Sequence, residues 1–110
     1  MNLPSSIYEL LDTENFRRRT PMFIGEKKIS SLRAFLEGAF YTMYIYGITE
    51  AEETGSDLGN FHDWVARYYG WSETTVGWNN IILQECNGNE EKALDQFFIL
   101  YDEFKNESRL

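Results

Sequence analysis

Leu32, Phe35, Leu36, Ala39, Phe40, Met43 and Tyr44 recur at steps of three and four residues. Such spacing draws one apolar stripe along about three turns of helix. It predicts the longest, central helix over 31–46, capped by Ser30 or Ser31 and stopped at Gly47. Gly38 inside it predicts a close approach by another segment, because a mid-helix glycine costs up to ~1 kcal/mol against alanine. Ile7, Leu10 and Leu11 behind Ser5 and Ser6 predict a short first helix over 6–12. Phe61, Trp64, Val65 and Tyr68 share one face of a third helix, opened by Asn60 and closed by Gly70. A fourth spans 76–86 with Trp78, Ile81 and Ile82, and ends at Asn87 and Gly88; β-branched Val76, Ile81 and Ile82 leave a strand open there. The last is capped by Asn89, with Glu90 and Glu91 in its first turn and Leu94, Phe97, Phe98, Tyr101 and Phe104 facing inward. Lys105 and Arg109 suit its C-terminal end.

Two stretches lack such a period. Residues 13–28 read as irregular: Pro21 pushes Thr20 towards an extended backbone, Gly25 permits a turn, and Met22, Phe23 and Ile24 are placed to plug the core. Residues 49–60, TEAEETGSDLGN, read as an acidic loop. The expectation is an all-α, single-domain bundle over 1–110 of about five helices with an aromatic-rich core. Leu32, Phe35, Leu36, Phe40, Trp64, Val65, Tyr68, Ile81, Leu94, Phe97, Phe98 and Tyr101 are its expected core residues.

Charge changes the picture more than composition does. At 43% apolar and 16% aromatic, the 110 residues suffice for a core. The net charge is −8, but it is unevenly spread. Residues 1–33 carry six basic and four acidic residues, whereas 34–110 carry four basic and fourteen acidic, a net of −10. A field of that sign repels phosphate backbones, so direct nucleic-acid binding is not expected. No apolar run approaches the ~18 residues of a membrane span, and the start MNLPSSIYELLD lacks a signal-peptide pattern. With a single cysteine as well, the expected compartment is the cytoplasm.

Chemistry-bearing residues are sparse. His62 and Cys86 are the only histidine and cysteine, fewer than a metal site of nitrogen and sulfur ligands requires. As a nucleophile pair they would need the fold to join them with a third, orienting group. No carboxylate pair stands out as acid and base, and no glycine-rich phosphate loop is present. The expectation is therefore a non-enzyme, with no catalytic residue, metal or cofactor. Trp71 and Trp78 fall outside the clean stripes, and an exposed tryptophan would be a candidate partner anchor.

The remaining feature is a basic island, RRRTPMFIGEKKISSLRAFLEG, residues 17–38, within an acidic chain. Its favoured reading is a buttress: Arg17–Arg19 follow a short helical turn, and Arg19 bridges to Glu37, Asp63 or Asp102, while Lys27 and Lys28 are solvated. The segment Arg19 to Gly38 also resembles a pattern of small bacterial proteins, Arg-Pro-x-Met-Tyr-Ile/Leu-Gly followed by Leu-x-x-Phe-Leu-x-Gly. FHDWVARYYGW, GWNNIILQE and EEKALDQFFILYDEF resemble later blocks of that pattern in the same order, so the likeness covers most of the chain. Thr20 stands where the pattern has its proline, and the proline here is Pro21. Some proteins with this pattern resemble immunity proteins of toxin systems, including contact-dependent growth inhibition. The resemblance implies an immunity protein that binds and neutralises a cognate toxin domain. The acidity adds that the toxin is a basic nuclease, covered by carboxylates placed where phosphates would lie. The candidate contacts are Glu50, Glu52, Glu53 and Asp57 in the loop, with Asp95, Asp102 and Glu103 on the last helix. The alternative is an adaptor domain that binds a protein or peptide through exposed aromatics.

Overall fold

The computed structural model describes residues 7–47, 58–72 and 75–108. Among them lie seven helices and no strand. These are α1 (Ile7–Asp12), α2 (Glu14–Arg18), α3 (Thr20–Ile24), α4 (Ile29–Ile45), α5 (Phe61–Tyr68), α6 (Trp78–Glu85) and α7 (Glu90–Ser108). The fold is all-α, with more helices than the apolar periodicity announces. α7, at 19 residues, is also longer than α4, at 17.

Helix ends follow local chemistry. The Asn89 side chain accepts the Lys92 amide at 3.0 Å and opens α7 as expected. At the end of α5, Gly70 takes φ +74°, and the Gly70 and Trp71 amides donate to the carbonyls of Arg67 and Ala66. Asn87, at φ +56°, and Gly88 close α6 by the same pair of bonds, to Gln84 and Leu83. Asn60 precedes α5 but makes no side-chain cap bond. The cap expected from Ser30 or Ser31 comes from elsewhere. α4 begins two residues earlier, at Ile29, and the Glu90 carboxylate of α7 accepts both the Ser30 amide, at 3.1 Å, and the Ser30 hydroxyl. One helix thus supplies the negative group that another helix's N-terminus favours.

α4, α5, α6 and α7 enclose the core, α4 and α5 each packing on both α6 and α7. Ile29, Leu32, Leu36 and Phe40 of α4 are buried, opposite Ile81 and Ile82 of α6 and Ala93, Leu94, Phe97, Leu100 and Tyr101 of α7. Phe61 is wholly buried and sits at the centre of the aromatic cluster, with ring centroids of Trp64, Trp78, Phe97, Tyr101 and Phe104 at 5.4–6.2 Å. Most of these meet edge to face, the arrangement the ring quadrupole favours. Two expectations fail here, and Trp78 drops out as a candidate anchor. Trp78 is 0% exposed, because Phe61 and Phe97 close over it. Tyr68 is 50% exposed, since it stacks on the outer side of half-buried Trp64 rather than facing inward with Phe61 and Val65. Gly38 lies on the solvent side of α4, where an added Cβ would meet nothing within 4 Å.

Of residues 13–28, the part over 14–24 is not irregular, all but Arg19 lying in α2 or α3, while 25–28, with Gly25 at φ +91°, stay without helix as expected. Thr13 caps α2 through its Oγ1, which accepts the Phe16 amide at 3.2 Å. Phe16 is wholly buried against the rings of Phe23, Phe35 and Phe98. Thr20 opens α3 instead of extending. Its buried hydroxyl shares its proton between the carbonyls of Phe16 and Arg17, at 2.9 and 3.0 Å, so it closes α2 and starts α3 together. Pro21 sits in the first turn of α3, where its missing amide costs no helical bond. Met22, at 78% exposed, and Phe23, at 39%, do not plug the core; Ile24 packs half-buried against it, and Phe16 enters it fully.

Candidate functional site

Of the candidate contacts, Glu50, Glu52, Glu53 and Asp57 lie outside the described residues. Asp95, Asp102 and Glu103 are carried by α7. Asp95 and Asp102 share a helix face, as their spacing requires, and that face meets the basic island. Both oxygens of Asp102 accept the Arg17 guanidinium at 2.8 Å. Arg17 also donates from Nε to the Leu11 carbonyl at 2.8 Å and lies over the Phe98 ring at 5.0 Å. Lys105 bridges Asp102 and Asp12. Lys27 lies 3.3 Å from Glu91 and 3.5 Å from Asp95. The hydrogen bond to Glu91, then the charge of Asp95, hold its ammonium above the ordinary lysine range. Glu103 is exposed and makes no ion pair or hydrogen bond among the described residues.

The island is therefore tied down by acids, but through Arg17 and not Arg19. Arg17 follows buried Phe16 within α2, and its side chain is directed onto α7, whereas Arg19 occupies the break between α2 and α3 and is exposed. Lys28 pairs with Glu26, and Arg18 with Glu14 one turn earlier. Arg33 reaches Glu37 at 3.0 Å and lies over the Trp78 ring.

A second feature has no counterpart in the sequence reading. The turn that ends α5 folds the chain back, and Trp71 and Ser72 run beside the helix they have just left. A groove of about 890 Å³ lies between them. Ala66, only 8% exposed, gives it depth; His62, Asp63 and Arg67 line it on the helix side, and Trp71, Ser72 and Thr75 on the other. The Trp71 indole N–H donates to Glu85 of α6 at 2.9 Å, which fixes that wall. Trp71 is half-buried, so of the two candidate anchors it alone reaches solvent. Lone Arg67 and Asp63 carried no motif; their grouping with Trp71 depends on the turn at Gly70.

Cys86 packs half-buried against the core, where burial pushes its thiol above the ordinary value. Among the described residues, no group of three or more His, Cys, Asp or Glu side chains is placed to hold a metal ion, and no helix is long and apolar enough to cross a membrane. No family model, curated protein or solved structure matches this chain.

Proposed function

We propose that this chain is a small acidic inhibitor that binds and neutralises a basic toxin domain, with a nuclease as the best-fitting class. The observation that carries this reading is the placement of charge. Arg17, Arg18, Lys27, Lys28, Arg33 and Lys105 are all held in ion pairs within the protein. Among the described residues Asp63, Glu85, Glu90, Glu103 and Glu107 are in no ion pair, against three such bases, Arg19, Arg67 and Lys92, and residues 49–57 add four acids by sequence. Asp95 and Asp102 keep 62% and 47% of their side chains in solvent, so they can still contribute at a rim. Carboxylates presented in this way can occupy a basic cleft in place of phosphates. Opposite fields also speed encounter, towards ~10⁸–10⁹ M⁻¹s⁻¹ at low salt. The immunity-protein resemblance of residues 19–38 and the later blocks supports the same reading.

The test is binding to any toxin domain encoded by a neighbouring gene, followed by stopped-flow at low and high salt. Neutralising Glu50, Glu52, Glu53 and Asp57 together should slow association by about tenfold or more at low salt and little at high salt. An association rate indifferent to both changes would refute the electrostatic mechanism, and absence of binding would refute the inhibitor role. An adaptor role would draw on half-buried Trp71 and on tyrosines at the end of α4. Trp78 is wholly buried, while Tyr41, Tyr44 and Tyr46 of the α4 end are 65–78% exposed. Binding that is insensitive to salt and lost on Tyr44→Ala would favour it.

A further inference from the structure

We infer that the groove beside α5 receives a peptide segment of the basic partner, one that presents a carboxylate to Arg67 and a cation to Asp63. This rests on the reading that the partner is a protein attracted by negative charge. Asp63 and Arg67 are one turn apart, the spacing at which Glu14 and Arg18 pair at 3.4 Å and Arg33 and Glu37 at 3.0 Å. Asp63 and Arg67 make no such pair, with each other or with any other described residue. The aspartate stem is one methylene shorter, and the first turn of a helix favours a carboxylate where Asp63 stands. Both charges are exposed and remain hydrated in the free protein, on the rim of a groove whose far wall is a held tryptophan.

The sign of Arg67 is what makes this informative. An acidic protein attracts every basic protein, so attraction alone discriminates poorly. A guanidinium within the contact surface adds a demand of opposite sign. A partner that covers Arg67 without offering a carboxylate strips it of water and leaves it unpaired, which is how an interface rejects wrong partners. Arg and Trp are also the residue types that most often anchor interfaces. At about 890 Å³ the groove has room for more than one side chain, which suits a polypeptide segment.

The test selects a random displayed-peptide library against the full chain, then measures each enriched synthetic peptide by fluorescence anisotropy against wild type, Arg67→Gln and Asp63→Asn. Both substitutions fall on exposed side chains, and matching urea midpoints verify that the fold is intact. The expected result is enrichment of peptides carrying one acidic and one basic residue at a fixed spacing, each bound about tenfold or more weaker by either variant. Purely basic peptides that bind the variants as well as wild type would overturn the groove while leaving the inhibitor reading intact. Enrichment of nothing, or of peptides without an acid, would overturn it too. Acid–base peptides that need Arg67, alongside a chain that ignores the basic toxin domain, would uphold the groove and sink the inhibitor reading.

Discussion

Arg17→Met keeps the aliphatic stem against Phe98 and removes only the charge and its donors, which makes it a direct probe of how the basic island is held. Four contributions are lost, the smallest a 3.6 Å ion pair with exposed Asp12. The bidentate pair with Asp102 joins side chains 24% and 47% exposed, between the surface and buried limits. Exposed pairs contribute 0.2–1 kcal/mol and hydrogen bonds to charged groups up to ~3 kcal/mol, so about 1–1.5 kcal/mol is the reasonable coupling. The cation over the Phe98 ring adds about 0.5 kcal/mol, and the Nε–H bond to the Leu11 carbonyl about 0.5–1 kcal/mol. Urea unfolding of Arg17→Met should therefore show a loss of about 2–3 kcal/mol, a large share of the 5–15 kcal/mol typical of a domain. In a double-mutant cycle, Arg17→Met with Asp102→Asn should give a coupling of about 1–1.5 kcal/mol. Arg19→Met, at an exposed site, should stay within ~0.5 kcal/mol of wild type. A coupling indistinguishable from zero, or an Arg19 variant as unstable as the Arg17 variant, would refute this account of the island.

Gly38→Ala should stabilise the protein by up to ~1 kcal/mol in the same assay, because the added methyl meets open space and lowers the entropy of the unfolded chain. Phe97→Ala should cost about 3–5 kcal/mol, and Phe98→Ala clearly less, since Phe97 is 0% exposed and Phe98 only half-buried; equal losses would contradict this packing. Burial raises the Cys86 pKa, so the native thiol should react slowly with iodoacetamide at pH 8, with a pH midpoint above that of the urea-unfolded chain. For the same reason, Cys86 contributes no pH dependence to stability well below its unfolded pKa, and disfavours the fold as pH rises through that value.

The parts of the fold legible in the sequence are those long enough to repeat. α4 and α7 show several turns of apolar stripe, and Asn89, Gly70 and the Asn87–Gly88 pair act through bonds within a few residues, so local chemistry places them. α2 and α3 have five residues each, fewer than two turns, and no period can show in so short a span. What makes them helical is Phe16 entering the core and Thr20 bonding backward, and both depend on the rest of the molecule. The site divides similarly. The sign of the charge is read from composition, but which arginine meets Asp102 follows from the packing of α2 on α7. The groove is illegible for the same reason: its residues come together only once the turn at Gly70 lays Trp71 beside α5.

The long-range polar contacts of residues 12–30 reach forward to α7, from Ser30 to Glu90, Lys27 to Glu91, Arg17 to Asp102 and Asp12 to Lys105. During synthesis, then, Phe16 can meet Phe23 and Phe35 early, but it leaves the ribosome long before Phe98 arrives to complete its cover. At ~5–20 residues per second the 85 residues from Arg17 to Asp102 take roughly 4–17 s to appear. For that interval the amino-terminal segment is a sticky, positively charged strand without its seat, and α7 is the piece whose arrival closes the molecule. A chain broken off before residue 102 loses its last turns of helix and, with them, the anchor of its beginning.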